Sequence, residues 1–106
     1  MRFFGDLLNR SAIDEFGKTL ARQLQKRLPK DRAGDPKRQR TELEIAIGHA
    51  RGFQRTKKLG VYGVSRLANV FQWELIEAGY ESGLAQQMGR DLASRLATDS
   101  PEKAPS

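Results

Sequence analysis

Residues 62–79, YGVSRLANVFQWELIEAG, decide how the rest of the chain is read. Val64, Leu67, Ala68, Phe71, Leu75 and Ala78 recur at spacings of three and four. At about 100° per residue they form one stripe along a helix. A second group lies roughly opposite: Tyr62, Trp73, Ile76 and Tyr80, with Asn69 among them. A helix that is apolar on two sides needs neighbours on both, or a partner from outside. One expectation is a central helix buried between three others. The other is an aromatic patch covered by a partner protein or a second copy, because Trp and Tyr are frequent interface anchors. The exposure of Trp73 separates the two.

The same period governs the flanking segments. Upstream, Ser11 is the expected N-cap of helix one, with Asp14 and Glu15 in its first turn, where the helix dipole favours acids. Its apolar face is Ile13, Phe16, Leu20, Leu24 and Leu28, with Ala21 beside it, and Pro29 stops it. After a loop at Lys30–Asp35, Asp35 and Pro36 open helix two as N-cap and first residue. That helix is expected to run to about Leu59, with Gly60 as its C-cap and Leu43, Ala46, Ile47, Ala50 and Phe53 facing the core. Helix three takes Tyr62 to Ala78, capped by Gly79. Helix four takes Ser82 to Ala97, with Leu84, Met88, Leu92 and Leu96 as its stripe and Ala85 beside it. No sustained alternation and no Asn-Gly or Asp-Gly turn signals a strand.

The expected fold class is therefore all-α: a compact bundle of four helices, with a short N-terminal helical turn around Phe3–Leu8 and a disordered C-terminal tail. Residues 1–98 form one helical domain in this reading. Residues 99–106, with Pro101 and Pro105, form the tail. Small residues mark places of close approach. Ala46, Gly48, Ala50 and Gly52 on helix two predict tight helix packing, or else a docking groove. Gly17 and Gly89 predict the same closeness on helices one and four.

The net charge is +6 and is unevenly placed. Residues 1–70 carry 16 Lys/Arg against 7 Asp/Glu; residues 71–106 carry 3 against 6. Lys37, Arg40, Arg51, Arg55 and Lys58 project within roughly 60° of one another on helix two, beside the core stripe. Glu44 interrupts this flank. Lys57 projects with the core face, and Arg66 on helix three adds to the positive field. A line of cations suits a phosphate backbone, where counterion release supplies affinity. A solvated helix face is the alternative use of such a line.

Several chemistries are excluded. There is no cysteine, so no disulfide and no thiolate nucleophile or metal ligand, which fits a reducing, cytoplasmic compartment. His49 is the single histidine, and no acid stands three or four residues after it to form a catalytic or metal pair. No carboxylate cluster has metal-ligand spacing, and no glycine loop has the ending of a phosphate-binding loop. Neither 60–69 nor 75–92 has the spacing of a helix-turn-helix reader. The apolar patch Phe3, Phe4, Leu7 and Leu8 is too short for a signal core, and it predicts poor membrane attachment. The sequence thus points to a small cytoplasmic binding protein that is not an enzyme, with no cofactor, no metal and no small-molecule substrate. Nucleic acid is the first expected partner, through Lys37, Arg40, Arg51, Arg55, Lys57, Lys58 and Arg66. A protein adaptor or regulator, binding a partner or forming a homodimer through Tyr62, Trp73, Ile76 and Tyr80, is the alternative.

Overall fold

The computed structural model describes residues 9–98. The expected N-terminal turn and C-terminal tail lie outside them. Among the described residues there are four helices: α1 (Arg10–Arg27), α2 (Pro36–Lys57), α3 (Val61–Glu77) and α4 (Ser82–Thr98). A 3-10 turn at Lys30–Arg32 lies within the loop between α1 and α2. No helix among the described residues is long and apolar enough to cross a membrane.

The expected stripes meet in one core. Ile13, Leu20, Leu24, Leu28, Ile47, Leu67, Phe71, Leu75, Leu92 and Leu96 are all fully buried. Phe16 and Phe53 stack at its edge, their rings 4.2 Å apart and nearly parallel, which ties α1 to α2. Gln54 is buried as well; its side-chain amide donates to the Leu96 carbonyl at 3.0 Å and joins α2 to α4. α3 packs most closely against α1 and α4. α2 rests on the same two helices but scarcely touches α3. Helix three is therefore not enclosed by three neighbours, and of its second side the part around Trp73 faces outward.

Two glycines set the closest approaches. A Cβ on Gly17 would stand 2.8 Å from Val70 Cγ1, so α1 meets α3 here without room for a methyl group. A Cβ on Gly89 would stand 3.0 Å from Gln72 Oε1 and 3.4 Å from the Ala68 carbonyl, where α4 meets α3. Gly48 and Gly52 do the opposite of what their spacing suggests. Nothing lies within 4 Å of a Cβ on either, because both look out from the exposed side of α2 while Ala46 and Ala50 take the core.

The helix ends correct three expectations. α1 begins one residue before Ser11; Asn9 is its N-cap and makes no side-chain capping bond. Asp14 is turned to α3, where it accepts from Arg66 Nε at 2.7 Å and Arg66 Nη2 at 2.9 Å. The Asp35–Pro36 start of α2 is as expected, with the Asp35 carboxylate accepting from the Lys37 amide at 3.0 Å. α2 ends before Gly60, which instead opens α3.

α2 and α3 close with one backbone pattern. A residue just past each helix donates back to the carbonyl five residues earlier: Leu59 to Gln54 and Tyr80 to Leu75. This pattern needs a left-handed residue just before that donor. α3 uses Gly79 (φ 100°), whereas α2 uses Lys58 (φ 54°). A side chain in that conformation costs about 1 kcal/mol relative to glycine.

The Asp14–Arg66 pair gives a pH prediction. The Arg66 hydrogen bonds hold the Asp14 carboxyl below its ordinary value of 3.8. A lowered folded-state pKa adds stability above the unfolded value, and that stability is lost as pH falls through the folded one. Both side chains are about one-third exposed, so the pair is worth at most about 1 kcal/mol. Asp14→Asn is expected to lower stability by that amount at pH 7. The gap to wild type should narrow and then close as pH falls below the ordinary carboxyl range in urea titrations.

Candidate nucleic-acid interface

α2 runs for 22 residues, opened by Asp35–Pro36 and closed by Lys58. Its core side carries Leu43, Ala46, Ile47 and Ala50, which forces the intervening positions outward. On that outer side Lys37, Arg40, Arg55, Lys57 and Lys58 are exposed. Lys57 projects with the core face by spacing, yet at the end of the helix its side chain is exposed. Arg51 is half-buried and already engaged in contacts.

Both acids of α2 are held by arginines from other helices. Arg27 Nε on α1 donates to Glu42 at 2.7 Å. Arg95 on α4 grips Glu44 with both guanidinium nitrogens, the second at 3.1 Å. These bonds hold the Glu44 carboxyl below the ordinary carboxylate range. The break that Glu44 makes in the stripe is thus filled by a cation that sequence spacing does not reveal. Lys37, Arg40, Arg55, Lys57 and Lys58 have no acidic partner among the described residues.

The remaining expected cation is placed elsewhere. Arg66 stands on α3, tied to Asp14, and it also donates to the Tyr62 hydroxyl at 3.4 Å. The Asp14 hydrogen bonds raise its pKa further, so it is a fixed structural charge. Arg66 is thus engaged between α3 and α1 and does not belong to the cations carried by α2.

The aromatic group on α3 is divided too. Tyr80 is 6% exposed and donates its hydroxyl to the Leu28 carbonyl. Burial raises its pKa and keeps the phenol neutral. Tyr80→Phe leaves that carbonyl without its donor and is expected to cost about 1 kcal/mol, read as a lower urea midpoint with an unchanged slope. Ile76 packs partly on the core and Tyr62 is half-buried beside Arg66. Trp73 alone of the four is strongly exposed, at 54%.

An open groove of about 450 Å³ lies between α2 and α4, with Leu43, Ile47 and Met88 below and Arg40 and Asp91 on its walls. Its mixed charge makes it a poor cradle for an anion. His49 is exposed, and among the described residues no group of three or more His, Asp or Glu is placed to hold a metal. Sequence spacing reveals neither the pairing of Arg95 with Glu44 nor the left-handed conformation of Lys58. Arg95 lies 51 residues from Glu44, and no local pattern links them. Compared with family models, curated proteins and solved structures, the chain matches none.

Proposed function

We propose that the protein is a non-enzymatic module that binds nucleic acid through the outer side of α2. The observation that supports this reading most is the fate of the charges there. Arginines from α1 and α4 occupy both acids of the helix, while Lys37, Arg40, Arg55, Lys57 and Lys58 stay exposed. Intramolecular pairing thus removes negative charge from the face and leaves its positive charge for an outside partner. Phosphates meet that demand, and each neutralised phosphate releases counterions. Titrating labelled DNA and RNA at about 50 mM and about 150 mM salt tests the proposal. Binding that weakens steeply with salt is expected; no binding at the lower salt refutes it.

Trp73 favours a second reading, a small regulator or adaptor that contacts a protein through α3. An indole that is 54% exposed is an anchor available to a partner. On this reading Trp73→Ala leaves thermal stability unchanged and abolishes capture of that partner from nuclease-treated lysate.

A further inference from the structure

The spacing of cations along α2 carries the proposal to a class of nucleic acid, and this step rests on the reading above. Lys37 and Arg55 are 18 residues apart, which is five whole helical turns, so they share one azimuth. At 1.5 Å per residue they are separated by about 27 Å along a straight, rigid element. Arg40 stands beside the first and Lys58 beside the second. Between these ends the one cation on this flank, Arg51, is half-buried and engaged within the protein. Glu44 is cancelled by Arg95, while Gly48 and Gly52 present no side chain at all.

We infer that α2 bridges a groove of duplex DNA, with Lys37 and Arg40 on one phosphate rim and Arg55 and Lys58 on the other. Helical side chains lean toward the N-terminus, so Arg55 and Lys58, reaching roughly 6 Å inward, shorten the span to about 20 Å. That span is of the scale of a major groove about 12 Å wide taken together with its phosphate rims, and is far too long for a minor groove of about 6 Å. The deep, narrow major groove of an RNA duplex offers no such pair of rims. A single strand has one flexible backbone, and it gains nothing from two cationic ends held at a fixed distance. The low middle of the helix suits passage over the groove, where a long side chain would hold the ends off the phosphates.

Lys58 supplies an independent observation. It holds a left-handed conformation that glycine occupies without cost, as Gly79 does at the matching end of α3. A strained residue is informative where an easier one would serve the fold. Here the strain places an ammonium group at the outer end of the cationic face.

The test uses the full chain with a labelled DNA duplex of about 24 base pairs, one of its strands alone, and an RNA duplex of equal sequence. The variants are Lys37→Gln/Arg40→Gln at one end and Arg55→Gln/Lys58→Gly at the other. The DNA duplex is expected to bind at least ~10-fold more tightly than the strand or the RNA duplex at about 150 mM salt. Each end variant should lose roughly 10- to 30-fold in duplex affinity and most of that preference. The second should unfold at no lower temperature than wild type, because glycine relieves the strain. Equal binding of strand or RNA duplex overturns the inference while leaving nucleic-acid binding intact. So does duplex affinity kept within twofold by either end variant. No binding to any probe at about 50 mM salt removes both readings.

Discussion

A variant with Lys37, Arg40, Arg55 and Lys58 all replaced by glutamine is expected to lose about 100-fold or more of its nucleic-acid affinity at ~150 mM salt. Each phosphate contact contributes about 0.9 to the slope of log affinity against log salt, so four contacts account for roughly 3.6. The variant's slope should be shallower by that amount. A purely structural effect would instead shift affinity at every salt concentration alike. The fold should survive, since all four side chains are exposed and have no acidic partner among the described residues. Surface changes of this kind typically alter stability by no more than about 0.5 kcal/mol. Fluorescence anisotropy across a salt series, with a urea curve for each protein, measures both. An unchanged slope would mean that α2 does not hold the phosphates.

The second large effect is a difference of sign among glycines. Gly17→Ala is expected to destabilise by about 1–3 kcal/mol, because its new methyl meets the short, branched side chain of Val70 at 2.8 Å and α1 must move from α3. Gly89→Ala meets the more adaptable Gln72 side chain and should cost less. Gly48→Ala and Gly52→Ala should each stabilise by up to about 1 kcal/mol, since both methyls project into open space and alanine is the better helix former. Against a total stability of about 5–10 kcal/mol, the Gly17 and Gly48 variants should separate clearly in urea midpoint. The gain at Gly48 and Gly52 also means that the fold does not require glycine there. A low profile over a bound duplex is a use for it.

Four glycines therefore have two different roles: close approach at Gly17 and Gly89, as their place by the core faces predicts, and open surface at Gly48 and Gly52, which their spacing does not reveal. The sequence did determine the helices. Apolar positions three and four apart place Leu20, Leu24, Phe71, Leu75, Leu92 and Leu96 inside, and each is fully buried. It determined Pro29 as a stop, Asp35–Pro36 as a start and Gly79 as a cap, because these act through the local backbone. It also located the cationic flank of α2, since azimuth on a helix follows from residue number alone.

The tertiary structure decided what the second side of each helix meets. Tyr80 and Trp73 belong to one group by spacing, yet the first is 6% exposed and the second 54%. The chain leaves the helix at Gly79 and turns Tyr80 toward Leu28, which no helical period anticipates. Arg66 and Arg55 are alike in sequence, but Asp14 on α1 holds the first, while no acid among the described residues holds the second. Glu44 reads as a gap in the stripe until Arg95 reaches it from α4. Local pattern fixes which direction a side chain points from its own helix. Only the packing of α1 and α4 against α2 and α3 fixes what stands in that direction, because those contacts join residues some fifty positions apart.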